Sequence, residues 1–273
     1  MLPRRFKVIR PYLASLFYKE CHRPPISEVM RWLTQPDKKR RASRYIQSCI
    51  EHQDFIEVHF VGFDNPFFYP RQASWIDLCQ TIDEVFNPNN WHHFISKDTP
   101  ISSTDVVIDC GAAEGLFSYY AARMASKVFA IEPIPMWHKG MEKTFGRLSN
   151  VEIIKAGVGH KNAIMRMTYE EICSHVSSRG SLEIPIRTLD SLFADNKIPV
   201  TFLKADIEGF EFQMLLGAEN LIRQNRPKIS MTMYHDTNHF VQAREFLLDL
   251  HSDYRFRLRG IAANGHPILM QAF

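Results

Sequence analysis

The stretch Val106-Val107-Ile108-Asp109-Cys110-Gly111-Ala112-Ala113-Glu114-Gly115 constrains the fold more than any other part of the chain. An apolar run ends in an acid and passes directly into small residues with glycine at both ends. Leu116-Phe117-Ser118-Tyr119-Tyr120-Ala121 then suits a helix. The order is that of a parallel core strand, a tight turn and a helix. Small turn residues let backbone pass close to a bound ligand, and the first N–H groups of the helix point at it. Asp109 stands where a carboxylate can meet a polar or cationic group of that ligand.

Lys127-Val128-Phe129-Ala130-Ile131-Glu132-Pro133 reads as a second strand that also ends in an acid. In a right-handed βαβ unit both acids lie at the carboxyl edge of the sheet. Glu132 is then placed to accept the two hydroxyls of a ribose, so the ligand carries a nucleoside. A dinucleotide would call for G-x-G-x-x-G at the turn. Here Ala113 occupies the second glycine position, no glycine stands at the third, and Glu114 would repel a diphosphate. S-adenosylmethionine has no phosphate and carries a sulfonium and an ammonium, so it fits these residues better than NAD. The expected cofactor-binding set is Asp109, Gly111, Ala112, Ala113, Glu114, Gly115, Glu132 and Pro133, joined further on by Gly157 and Asp206.

A chain of 273 residues holds one large domain or a core with an added segment. The expected division is an amino-terminal helical and β-hairpin extension over 1–98 and the sheet domain over 99–273. The net charge of +3 does not predict a nucleic-acid partner. The cysteines at 21, 49, 79, 110 and 173 show no C-x-x-C spacing, which points to reduced thiols and a cytoplasmic protein. No run approaches the ~18 apolar residues of a membrane span, so no transmembrane segment is expected.

Residues 1–19 are basic, and Phe6, Ile9, Tyr12, Leu13, Leu16 and Phe17 share one helical face. That face is expected to pack on the body or on a second subunit, giving a homo-oligomer through the extension. A second helix follows Pro24-Pro25. The charge run Lys38-Lys39-Arg40-Arg41 is expected to be a solvated turn or helix start rather than a phosphate contact. Residues 55–61 alternate as a half-buried strand does and return through 67–69 as a hairpin. Residues 75–86 are helical. His92 and His93 are adjacent and so point to different faces; packing or a substrate wall suits them better than a metal.

Beyond Glu132 the pattern gives a helix over 137–148 and a strand over 151–159, whose end borders the adenine. Residues 160–185 hold extended pieces around a polar loop at 174–181, a mobile pocket edge. Residues 200–205 form another buried strand ending in the acids Asp206, Glu208 and Glu211. Residues 227–235 form the fifth core strand, ending in His235. A terminal hairpin turns at Asn264-Gly265. The fold class is therefore α/β: a Rossmann-like, mostly parallel sheet closed by an antiparallel hairpin.

Three stretches then coincide: the 109–115 turn, Lys204-Ala205-Asp206-Ile207-Glu208-Gly209-Phe210-Glu211, and Pro227-Lys228-Ile229-Ser230-Met231-Thr232-Met233-Tyr234-His235. Together they resemble the FkbM family of S-adenosylmethionine-dependent methyltransferases. That family carries a K-x-D-x-E-G-x-E motif followed by helix leucines and a Gly-Ala pair, matched here by Gly217-Ala218. The resemblance covers residues 100–273. It implies the class I methyltransferase fold and O-methylation of a small-molecule or glycan acceptor, a sugar or secondary metabolite. The family turn usually carries asparagine where this chain has Ala113.

Methyl transfer to oxygen needs positioned reactants and a base for the hydroxyl proton. Asp206, Glu208 and His235 all fall at carboxyl ends of adjacent expected strands. His235 is the leading expected base, because an unperturbed imidazole titrates near neutrality. Asp206 would orient that base or the cofactor ammonium, and Glu208 and Glu211 would flank the acceptor. A Mg²⁺ ion between Asp206 and Glu208 is a variant of this scheme. The rival readings are an NAD-dependent oxidoreductase or epimerase, a nucleic-acid methyltransferase, and a non-catalytic cofactor-binding module.

Overall fold

The computed structural model describes residues 7–16, 22–168, 175–176, 182–193, 199–235 and 239–273. The expected loop at 174–181, the cysteines at 21 and 173, and Phe6 and Phe17 of the first helix lie outside the described residues or their side chains.

Three helices, α1 (Ile9–Ser15), α2 (Ile26–Thr34) and α3 (Lys38–Ala42), precede an antiparallel sheet of β1 (Ile46–Glu51), β2 (Phe55–Phe60) and β3 (Phe67–Pro70). The expected hairpin is thus the inner part of a three-stranded sheet. Helix α4 (Trp75–Phe86) leads on to the main sheet. There β4 (Val106–Cys110), α5 (Leu116–Ala121), β5 (Lys127–Ile131), α6 (Pro135–Phe145) and β6 (Val151–Ile154) follow in turn.

The expected third strand divides after β6. Residues Gly157–Val158 (β7) leave the main sheet and pair in parallel with β10 (Leu182–Arg187), beside β8 (Ala163–Thr168) and β9 (His175–Val176). A Cβ at Gly157 would lie 2.7 Å from Ile186 Cδ1, so glycine lets the two sheets approach here without moving that side chain. After α7 (Leu189–Phe193) come β11 (Phe202–Ala205), α8 (Glu211–Leu216), α9 (Glu219–Asn225), β12 (Lys228–Thr232), α10 (His239–Leu250), β13 (Phe256–Arg259) and β14 (Leu269–Ala272). The seven-stranded order is β13-β14-β12-β11-β4-β5-β6, parallel except where β14 runs antiparallel to β12 and β13.

Strand alternation sorts the two cores. Val107 of β4 faces a cluster with Leu116, Phe117 and Tyr119, while Val106, Ile108 and Cys110 face one with Leu203, Met214, Leu215 and Ile222. The first cluster also takes in Phe60, Phe67, Tyr69, Leu78, Ile82 and Trp91. One hydrophobic core therefore runs across the expected boundary at residue 98. Trp32 of α2 stacks on Trp91 at 4.6 Å, and Arg259 of β13 donates to the backbone carbonyls of Pro88, Asn90 and His93.

Two amino-terminal expectations are refined, and the charge run does start a helix, α3. In α1 the buried side chains are Tyr12 and Ser15, with Val8 just ahead of the helix, while Leu13 and Leu16 are exposed. The charge run is not merely solvated. Asp37 caps α3 by accepting the Arg40 N–H, and Arg41 forms a 2.7 Å ion pair with Asp83, which is 1 % exposed. Asp83 also accepts from Asn87 and Asn90, so it ties α3, α4 and the following loop together. No described helix is long and apolar enough to cross a membrane.

Candidate active site

A cavity of about 270 Å³ lies at the carboxyl ends of β4, β5 and β11. The turn Gly111–Glu114 forms one side, Glu132–Pro133 and Gly157–Val158 a second, and Asp206–Glu208 a third. The fourth side comes from His92, in keeping with the substrate wall expected of the histidine pair, and from residues that no sequence motif marked: Tyr69 and the α4 face of Ser74, Asp77, Thr81 and Glu84.

The turn is shaped mainly by the protein itself. Gly111 has φ +73°, and a Cβ there would overlap the Asp206 carbonyl oxygen. Gly115 has φ +89°, and a Cβ there would lie 2.8 Å from Phe145 Cζ. Both glycines answer to neighbouring elements as well as to the left-handed backbone. Ala113, between them, is also left-handed at φ +48°, a conformation a Cβ disfavours.

Asp109 does not meet a ligand cation. It is fully buried, pairs with Lys204 Nζ at 2.8 Å and accepts the Ser118 hydroxyl at 2.7 Å. Lys204 also donates to the Gly111 carbonyl at 2.8 Å and lies 5.1 Å from the Phe94 ring centroid. Burial opposes its charge, but Asp109 and Asp206 carry its pKa above the ordinary lysine value. The lysine of the K-x-D-x-E-G motif is thus a clamp between β11 and the glycine turn.

Glu132 reaches into the turn. Its carboxylate accepts the N–H groups of Ala113 and Ile134, each at 2.8 Å. Glu132 and Glu114 line the cavity with no ion-pair partner among the described residues, and burial lifts the pKa of each to about 7. Two buried acids without cations, facing a cavity that holds a close-approach glycine at 157, suit a ligand that brings its own positive charge and a ribose. A sulfonium nucleoside meets both requirements.

On the far side, Asp206 faces the cavity and accepts the Thr232 hydroxyl at 3.1 Å. Burial raises its pKa, against the pull of Lys204, His92 and His235. Glu208 also lines the cavity, from a left-handed backbone at φ +55°. Glu211 does not flank an acceptor. It is fully buried behind the rim, where it accepts from Ile207 N–H, Thr232 and His235. Burial alone would raise the Glu211 pKa, but the hydrogen bond from His235 and the nearby His239, 3.6 Å away, bring it well below the ordinary carboxylate range.

The expectation for His235 is overturned. Nε2 lies 3.2 Å from Glu208 and Nδ1 lies 3.1 Å from Glu211. Burial lowers its pKa, but the two carboxylates more than reverse this and raise it to about 10. The ring is an imidazolium at neutral pH, with both nitrogens engaged, and is no free base. Among the described residues, Asp206, Glu211 and His235 bring possible ligand atoms within 4.8 Å of one another.

His92 and His93 point apart, as their adjacency implies. His92 lines the cavity, 3.7 Å from Glu84 and edge-on to Tyr234. His93 is buried against the Glu84 carbonyl, and burial lowers its pKa to about 4. Glu84, whose pKa burial also raises, had no sequence motif to mark it.

The family model for the methyltransferase FkbM domain matches residues 109–258, more than half of the chain. The chain belongs to the FkbM methyltransferase family. Among solved structures, the methyltransferase FkbM from Methylobacillus flagellatus KT is similar, at 19% identity and TM-score 0.53, over 74% of this chain. The alignment spans 56% of that longer protein. An rRNA methylase from Streptococcus thermophilus aligns at 14% identity and TM-score 0.41, covering 63% of this chain and 87% of that one. Fibrillarin from Aeropyrum pernix aligns at 9% identity and TM-score 0.39, covering 84% and 99%. No curated protein is similar enough to count as a match. In FkbM terms the family match takes in the turn, Glu132 and the K-x-D-x-E-G motif, whereas the α4 wall and His92 lie outside it.

Proposed function

We propose that this chain transfers a methyl group from S-adenosylmethionine to a hydroxyl of a sugar, glycan or secondary metabolite. The observation that carries the reading is one continuous cavity. It runs from the glycine turn and Glu132 to the Asp206 and Glu208 rim, with uncompensated buried acids along it. Gly111, Ala112, Ala113, Glu114, Glu132, Pro133 and Gly157 would hold the cofactor, with Asp109 and Gly115 shaping the turn from behind. S-adenosylmethionine, when bound, supplies an electrophilic methyl carbon on an already activated sulfonium.

The chain itself must orient a hydroxyl and hold its proton. Asp206 suits the second task. Burial raises its pKa, which strengthens it as a base, and its Oδ2 is not engaged by Thr232. His235 acts through its neighbours: as an imidazolium it fixes Glu208 at the rim and Glu211 behind it. The same acidic lining disfavours NAD and nucleic acid, both of which bring phosphate.

Calorimetric titration with S-adenosylmethionine, S-adenosylhomocysteine and NAD tests the cofactor. The two sulfur nucleosides should bind and NAD should not; binding of NAD alone would overturn the reading. Transfer of labelled methyl onto a panel of glycans, sugars and polyketide-like metabolites tests the reaction. Asp206→Asn should lower turnover by roughly 10²- to 10⁴-fold. His235→Ala should lower it by less, with cofactor affinity nearly unchanged.

A further inference from the structure

Helix α4 has two unlike faces. Leu78, Ile82 and Val85 are buried in the core, while Ser74, Asp77, Thr81 and Glu84 recur at helical spacing along the cavity and are only partly covered. A helix face turned toward the protein's own cavity is ordinarily apolar; this one presents hydroxyls and carboxylates. Much of that hydrogen-bonding capacity is unspent. The Asp77 carboxylate accepts nothing from the described residues, and the Thr81 hydroxyl is held only by the Asp77 carbonyl at 3.2 Å. Glu84 accepts the Gln80 amide at 3.0 Å and keeps a second oxygen. The face is rigidly placed, because Arg41 and Asp83 pin α4 from the side away from the cavity.

The charge balance narrows what can enter. Asp77, Glu84, Glu114, Glu132, Asp206 and Glu208 all line the cavity. Among the described lining residues the one lysine, Lys204, is taken up by Asp109 and the Gly111 carbonyl. His92 is the other described lining side chain that could carry positive charge, and Glu84 stands beside it.

We infer that the α4 face of Asp77, Thr81 and Glu84 is the acceptor subsite of this cavity, and that it takes a neutral, hydroxyl-rich carbohydrate while turning away its phosphorylated form. Carboxylates accept hydrogen bonds from sugar hydroxyls, and together they repel a phosphate that no cation among the described lining residues is free to neutralise. The inference rests on the methyl-transfer reading above. It adds that acceptor choice is made by a segment outside the family-matched residues.

The test uses the full chain loaded with S-adenosylhomocysteine and saturation-transfer NMR. The probes are methyl glycosides of gluco, galacto and manno configuration and their 6-phosphates. At least one neutral glycoside should bind, with its 6-phosphate at least tenfold weaker. Asp77→Asn and Thr81→Val should each weaken the neutral glycoside about tenfold, with S-adenosylhomocysteine affinity within twofold of the parent. Thr81→Ser, which keeps the hydroxyl, should retain binding. Phosphates that bind as well as the neutral glycosides, variants without effect, or no glycoside binding to the loaded protein would each overturn the inference. Failure of S-adenosylhomocysteine to bind is seen before any sugar is added, and brings down the methyl-transfer reading itself.

Discussion

The two ends of the cavity are built on opposite plans. At the turn the geometry is fixed inside the protein: Asp109 is met by Lys204 and Ser118, and the Glu132 carboxylate is held in place by two backbone N–H groups. At the α4 wall, side chains are left partly unsatisfied and reach into open space. The first end is preorganised by short-range order within one βαβ unit. The second is assembled from residues far apart in the chain, held by a shared core and a few ion pairs. The lesson is that a generic ligand end can be encoded in a local motif, whereas a selective end draws on whatever segment packs over it.

The sharpest way to break this contrast is Lys204→Met. It leaves Asp109 fully buried with no cation, which should cost about 3–5 kcal/mol of stability, read as a large fall in thermal midpoint. If Lys204 were a ligand contact rather than a clamp, the midpoint would barely move and only binding would suffer. Gly111→Ala comes next. Its Cβ meets the Asp206 carbonyl from a left-handed backbone, so a loss of roughly 1–3 kcal/mol is expected, with weaker cofactor binding in the same titration.

Glu132→Gln should leave the fold intact and weaken S-adenosylmethionine binding roughly tenfold, about 1.4 kcal/mol. Equal affinity would remove Glu132 from the ribose contact. A further effect is one of pH. Glu114 and Glu132 have pKa values raised to about 7, so their stabilising contribution is complete below their ordinary pKa of 4.5 and is lost as pH rises through 7. That of His235 is complete below 6.5 and lost as pH rises through about 10. Denaturant melts across pH 4–10 should therefore show stability declining in two stages, and His235→Gln should flatten the upper one. An upper stage unchanged in that variant would mean the imidazolium is not held by Glu208 and Glu211.

Much of the sheet was legible because its strands are buried on both faces and end in acids and glycines, a signal carried within a few residues. The division of the third strand was not legible. Ile153 and Val158 look alike in sequence, and only the approach of β10 decides that Gly157 pairs there. The glycine turn was located correctly but for an incomplete reason, since Gly111 and Gly115 also yield to Asp206 and Phe145, residues remote in the chain. His235 shows the same limit. Its position near a strand end could be read, but its charge state depends on Glu208, in the loop after β11, and Glu211, at the start of α8, closing on it.

The sequence by itself determined the α/β architecture, the glycine turn and the acid that follows it, because periodicity and turn chemistry act over short separations. Tertiary structure alone decided that Asp109 answers to Lys204, that His235 is a cation, and that α4 supplies a wall of the cavity. These depend on distances between residues tens of positions apart, where burial and Coulomb interactions set charge and exposure, and no local pattern records them.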